Sequence, residues 1–200
     1  MNFLAHFYLS APDEDLITGG FLGDFVKGPL RGQFSPELER GIRLHRHIDS
    51  FTDNHLAQRN IRQRLPKPFY RYSGIIADMM CDYFLSKHWH DFHNGSIEAF
   101  SQECLALLNS RQNLFTENAR QVLGRMDQKS WLVNYGNLNY ISETLKYIGL
   151  RMRFENPLNE CHRFLPAVSQ QIEADCLKVL RDTSGAVKKW RASNIPETVL

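Results

Sequence analysis

No run of eighteen apolar residues occurs anywhere in the 200-residue chain, so a membrane-spanning helix of ordinary length is not expected. Cysteine is scarce and scattered. Cys81, Cys104, Cys161 and Cys176 form no C-x-x-C pair, which argues against a zinc knuckle or a disulfide framework and leaves reduced, packed thiols as the expectation. An excess of charge is missing too: a net charge of +2 is too small to suggest a general nucleic-acid binder, so any electrostatic recognition has to come from local clusters. The opening MNFLAHFYLSAP has no basic segment ahead of its apolar run, and His6 interrupts that run, so it does not read as a secretion signal. A soluble cytoplasmic protein is expected, with neither membrane nor nucleic acid as partner and a monomer as the simplest assembly. The strict apolar–polar alternation of half-buried strands is also largely absent.

What the chain does have is 42% hydrophobic and 12% aromatic residues, enough for one sizeable core over residues 1 to 200. The expected fold is an all-α, single-domain helical bundle. Ser35-Pro36, an N-cap followed by proline at the first helical position with Glu37 and Glu39 in the first turn, opens a helix reaching about Asn54. Further helices are expected over 13 to 26, 70 to 91, 96 to 109, 116 to 126, 129 to 135, 138 to 151 and 157 to 181. The last of these starts with a second N-cap and proline signature, Asn156-Pro157. From Ser184 onward the periodicity fades, and a loosely held end is expected.

The chemistry gathers in RLHRHIDSFTDNH, residues 43 to 55, where three histidines and two aspartates share thirteen residues. On a helix from Ser35, Leu38, Ile42, Leu44, Ile48 and Phe51 make a core stripe. His45, Asp49 and Asp53 follow at i, i+4 and i+8, one above the other beside that stripe. His47 and His55 fall off this face and are expected at the surface. Asp78 and Asp82 repeat the four-residue spacing inside the apolar SGIIADMMCDYFL, where an unpaired carboxylate must protonate, find a partner or bind a metal. Asp24 lies in GGFLGDFVKG, where Gly19, Gly20 and Gly23 permit close approach of a helix or a ligand.

Plainer accounts stay open for each of these residues. His45 on its own fits a packing or surface role, Asp53 fits a helix end, and Asp78 and Asp82 fit ion pairs with Arg43, Arg46 or Lys87. If the groups converge, a mixed His and Asp donor set without cysteine suits Mn²⁺ or Mg²⁺, with Fe²⁺ or Zn²⁺ less favoured. The implied reaction is hydrolysis at phosphorus.

Five separated segments, MNFLAH, GDFVKG, LHRHIDSFTDNH, DMMCDYFLSKHW and WLVNYGNLNYI, together resemble the acyl carrier protein phosphodiesterase family over roughly residues 1 to 180. The resemblance implies an HD-domain-like helical enzyme that requires Mn²⁺ and hydrolyses holo-acyl carrier protein to the apo-protein and 4'-phosphopantetheine. The usual adjacent His-Asp pair of HD enzymes is absent from the 35 to 54 helix, and His90-Asp91 looks like surface. Since neighbours on a helix point about 100° apart while His45 and Asp49 point the same way, these two are assigned to the metal in place of His47. Asp24 and Asp78 would complete the ligand set, and Asp82 would be a further ligand or would orient one. His6 would be a ligand, a proton donor or a packing histidine, with Asp53 and His88 further out.

Residues 59 to 71, RNIRQRLPKPFYR, carry Arg59, Arg62, Arg64, Lys67 and Arg71 with no acidic residue among them. A solvated charge run explains this equally well. In a protein resembling this family, the strip would steer the small, strongly acidic carrier protein, with Phe69 and Tyr70 adding apolar contact. A groove for the pantetheine arm would draw on Trp89, Tyr83 or Phe84. Two other readings compete: an HD-like hydrolase of a nucleotide phosphoester, and a non-catalytic helical module that grips an acidic protein or RNA.

Overall fold

In the computed structural model, residues 1 to 194 are described, and among them there are helices and turns but no strand. The first helix, α1 (Phe3–Ser10), starts on the Asn2 cap and is buried on nearly every side, so it shows no polar face from which periodicity could mark it as a helix. In α2 (Glu14–Gly23), the Asp13 carboxylate accepts the N–H groups of Asp15 and Leu16 at 3.1 and 3.0 Å, with Glu14 and Asp15 favouring the helix start. The third helix, α3 (Pro36–Asn54), begins as expected on the Ser35 cap and Pro36. His55 alone separates it from α4 (Leu56–Arg64), and the His55 ring caps α4 by accepting the Ala57 N–H.

After a 3-10 turn over Lys67–Tyr72 comes α5 (Ser73–Lys87), then the single turn α6 (Trp89–Phe92). The continuous helix expected over 70 to 91 is therefore divided, with His88 carrying the break. α7 (Ile97–Ser110), α8 (Glu117–Gln128), the short α9 (Trp131–Asn134) and α10 (Leu138–Leu150) follow close to their expected bounds. The segment expected as helix from 157 starts as a 3-10 turn over Pro157–Arg163, and α11 (Leu165–Ser193) starts afresh with Pro166 in its first turn.

The end of α11 corrects the expectation of a loose tail from Ser184. Val187 is buried, and the Arg191 guanidinium donates to the carbonyls of Leu9 and Ala11 at 2.9 and 3.0 Å, clamping this turn to the end of α1. Residues 195 to 200, the rest of that tail, lie outside the described residues.

Helix α1 sits in the middle, packed by α2, α3 and α5, while α11 spans α3, α4 and α5. Phe7, Phe21, Ile42, Ile48 and Ile76 are fully buried between them, each stabilising the fold by about 1.5–3 kcal/mol. The four cysteines are unpaired and buried in this core. Among the described residues, no helix is long and apolar enough to cross a membrane.

The α2–α3 crossing is the tightest in the fold. A Cβ on Gly19 would collide with the Leu38 carbonyl oxygen and the Gly41 Cα, so glycine on both helices is what lets their backbones touch.

Candidate metal centre

Burying α1 against α3 brings His6 next to His45. Both are nearly inaccessible, at 2% and 4% exposed, and their rings stack with centroids 4.1 Å apart and 17° between planes. Asp49, one turn along α3 from His45, reaches both: its Oδ1 lies 3.1 Å from His6 Nε2 and its Oδ2 lies 3.1 Å from His45 Nε2. A carboxylate can only accept, so the His6 proton facing it is on Nε2. One donor atom from each of the three residues falls within a 4.8 Å sphere of mutual distances, the one such group found among the described residues.

Neighbouring residues hold this geometry. A Cβ on Gly23 would strike the His45 imidazole, so the last turn of α2 forms the wall against which that ring rests. Asp82, fully buried on α5, accepts the N–H groups of Asn2 and Leu4 at 3.2 and 2.9 Å, with Ala5 at 3.4 Å. It thereby satisfies the orphan donors at the start of α1 and fixes the helix that carries His6. Asp78 receives the Met1 α-amino group at 3.1 Å and the Gln58 amide at 3.3 Å. The same amino group lies 3.8 Å from Asp49, which joins Asp78 to the edge of the cluster.

Protonation follows from these contacts. Burial, helped by the neighbouring His45 ring, pushes the His6 imidazole down to about 3 despite its bond to Asp49. Partial burial opposes ionisation of Asp49, but the His45 and His6 rings outweigh it and hold the carboxyl well below the usual carboxylate range. Burial pushes Asp82 up to about 7 against the pull of the Met1 amino group and the backbone N–H donors. Asp24, at the end of α2, stays open to solvent, yet desolvation by the surrounding protein still raises its carboxyl. His45 opposes that rise and Asp49 adds to it.

Two imidazoles and an ionised carboxylate could hold a divalent cation. The His6 and His45 Nδ1 atoms are buried without a hydrogen-bond partner, so neither ring is committed to another structural role through that nitrogen. The donor set fits a hard or borderline ion. Asp49 is 42% exposed in its side chain, so the cluster opens to solvent on the carboxylate side and is closed behind the rings.

The family model described as acyl carrier protein phosphodiesterase matches residues 1–183. The chain belongs to that family. It is 32% identical over 157 residues to the acyl carrier protein phosphodiesterase of Escherichia coli O6:H1 (strain CFT073), covering 76% of this chain and 79% of the relative. The enzyme of the same name from Photorhabdus laumondii is 30% identical over 152 residues, covering 76% and 77%. That from Serratia proteamaculans is 30% identical over 146 residues, covering 72% and 76%. No solved structure gives a significant match.

The segments that carry the family resemblance largely surround the cluster. MNFLAH supplies His6, GDFVKG supplies Asp24, the α3 segment supplies His45 and Asp49, and the α5 segment supplies Asp78 and Asp82. Other expected site residues are placed elsewhere. Asp53 is exposed and ion-paired with Arg62 of α4 at 2.6 Å, so it faces α4 and stays outside the three-donor group. His88 is bound to Glu173 of α11 at 2.5 Å. Off the metal face, His47 lies beside Trp190, 6.1 Å between centroids, and His55 pairs with Asp182 at 3.0 Å.

The basic strip is less uncompensated than its own sequence implies. Arg62 is paired with Asp53, and Arg64 with Asp175 of α11; Arg59, Lys67 and Arg71 make no ion pair among the described residues. Phe69 is buried against Phe164 and offers no surface contact, whereas Tyr70 is half exposed. Trp89 and Phe84, expected to line a groove, are core residues instead. The groove that reaches Asp24 is lined by α8, α9 and α10 together with Asn2 and Phe3, and no histidine or carboxylate spacing pointed to it.

Proposed function

We propose that this protein hydrolyses the phosphodiester of holo-acyl carrier protein, releasing 4'-phosphopantetheine and the apo-protein, with a divalent cation, Mn²⁺ foremost and Mg²⁺ or Fe²⁺ as substitutes. The observation that carries this reading is the meeting of His6, His45 and Asp49 on two helices, in a member of a family of phosphodiesterases. His6, His45 and Asp49 would hold the cation, with Asp24 and Asp78 as the nearest further carboxylates. A bound cation there polarises a phosphoryl oxygen and acidifies water. The oxygen of water adds to phosphorus, the bond from phosphorus to the carrier's oxygen breaks, and that oxygen leaves as a hydroxyl carrying one of the water protons. The phosphate stays on pantetheine.

The protein's own residues divide the work. Asp49, ionised throughout the neutral range, orients both imidazoles. Asp24, open to solvent with its carboxyl raised, is suited to pass the proton. Asp82 acts through α1, as the anchor that holds His6 in place. The free cations Arg59, Lys67 and Arg71 supply the attraction for an acidic carrier protein next to Asp78, which Gln58 of α4 bonds directly. The HD-like kinship belongs to the same proposal, with a His and an Asp one turn apart on α3 replacing the adjacent pair.

The deciding experiment incubates purified chain with holo-acyl carrier protein, with and without Mn²⁺, and weighs the carrier protein. A metal-dependent mass loss equal to phosphopantetheine is expected. An unchanged mass under both conditions would refute hydrolysis.

A further inference from the structure

A cleft of about 500 Å³, walled by Phe3, Trp131, Tyr140 and Tyr147, reaches Asn2 and Asp24 in the surroundings of the cluster. Its volume falls within the range of small-ligand sites. Two of its lining residues belong to the neighbourhood of the cluster. Asn2 is held by Asp82, and Asp24 lies within the electrostatic reach of His45 and Asp49. A larger depression of about 590 Å³ over α7 includes neither Asn2 nor Asp24, so size alone does not select the functional cavity.

The lining has two chemistries. Aromatic faces and Ile148 form the walls, while Arg125, Lys129 and Arg151 supply donors, together with the Thr144 hydroxyl. The Arg151 guanidinium lies over the half-exposed Tyr147 ring at 5.8 Å, a cation–π contact within the lining of the cleft. No ion pair engages Arg125, Lys129 or Arg151 among the described residues, so their N–H groups are available to a ligand.

Resting on the phosphodiesterase reading above, we propose that this cleft seats the pantetheine arm of holo-acyl carrier protein, with Trp131, Tyr140 and Tyr147 as its specificity-determining residues. The arm is a neutral chain with a branched apolar head, short methylene links and two amide carbonyls. Apolar walls match the first two and the cationic donors match the carbonyls, which in an unpaired state would oppose burial. Asp24, at the boundary of cleft and cluster, then marks where the phosphodiester lies. The carrier protein itself extends to the other side, toward Asp78 and the α4 cations. A nucleotide is the competing occupant of an aromatic cleft with a basic rim.

The test uses pantetheine, which lacks phosphate, and two substrates that differ in having the arm: holo-acyl carrier protein and bis(4-nitrophenyl) phosphate. Calorimetry should show pantetheine binding to the wild-type chain. Thr144→Trp, which fills the cleft, and Tyr147→Ala, at a half-exposed position, should weaken that binding and raise KM for holo-acyl carrier protein about tenfold. Turnover of bis(4-nitrophenyl) phosphate should stay unchanged. The proposal is overturned by wild-type chain that ignores pantetheine, by binding of AMP or GMP in its place, or by variants that process holo-acyl carrier protein with unaltered KM. A wild type that binds pantetheine yet hydrolyses neither substrate would overturn the hydrolytic reading and leave the cleft assignment standing.

Discussion

The imidazole of His6 lies flat on that of His45, 4.1 Å between centroids, although the two residues are on different helices. Stacked rings of this kind oppose simultaneous protonation, and their shared partner is one carboxylate, Asp49. The two buried nitrogens and the partly exposed oxygen offer three donor atoms that could hold a cation. Removing Asp49 or His45 should therefore abolish metal-dependent turnover with little change in helical content. Asp49→Ala and His45→Ala are expected to lose Mn²⁺ binding by calorimetry while the circular dichroism of the wild type is retained. Asp78→Ala, outside the three-donor group, should cost less, about 10- to 100-fold in metal affinity. Chelation of the wild type followed by added Mn²⁺ should restore activity; failure to restore it would remove the cation from the mechanism.

His6 and Asp82 bias stability with pH in opposite directions. The folded His6 pKa is depressed to about 3, so its contribution is present above the unfolded value of 6.5 and is lost as pH falls toward 3. The folded Asp82 pKa is raised to about 7, so its contribution is present below the unfolded value of 3.8 and is lost as pH rises toward 7. Between roughly pH 4 and 6.5 the two slopes, each at most about 1.4 kcal/mol per pH unit, oppose each other. Urea unfolding of metal-free Asp82→Asn should thus show stability rising with pH across that window, while His6→Gln shows it falling. Parallel profiles for the two variants would contradict the assignment of these shifts.

Gly19 and Gly23 are one turn apart on α2 but serve different neighbours. Gly19→Ala drives a methyl into α3 backbone and should destabilise the fold by about 1–3 kcal/mol, read from the urea midpoint. Gly23→Ala meets the His45 ring instead, so its larger effect should be on Mn²⁺ affinity and turnover. Should Gly23→Ala leave metal binding intact, the ring would have room that this packing denies it.

Helical periodicity made α3 readable: the Ser35-Pro36 start, the core stripe and the shared face of His45 and Asp49 all depend on spacing within one element. Helix α1 was not readable by the same route because a helix buried all round has no face to display. For His6, the chain shows a histidine in an apolar run, and only the packing of α1 on α3 sets its distance from Asp49. Asp82 stood out as a carboxylate in apolar surroundings, but that its partners would be the N–H groups of α1 depends on how α5 meets α1. The aromatic cleft was hidden for a related reason, since Phe3, Trp131 and Tyr147 come from three parts of the chain.

Ion pairing divides the basic strip into two functional sets. Arg62 and Arg64 already face Asp53 and Asp175, so reversing their charge breaks an internal pair as well as altering the surface. Arg59, Lys67 and Arg71 are exposed and have no such partner among the described residues, which leaves their field directed outward. An acidic carrier protein approaching over α4 would feel these three most, and surface attraction of this kind is screened beyond about 8–10 Å at ordinary ionic strength. The triple variant Arg59→Glu, Lys67→Glu, Arg71→Glu should accordingly raise KM for holo-acyl carrier protein by about tenfold at low salt, with kcat unaltered. The difference from wild type should shrink as salt is added, and hydrolysis of bis(4-nitrophenyl) phosphate should not change. Equal KM values for variant and wild type at low salt would show that the carrier protein approaches from another side.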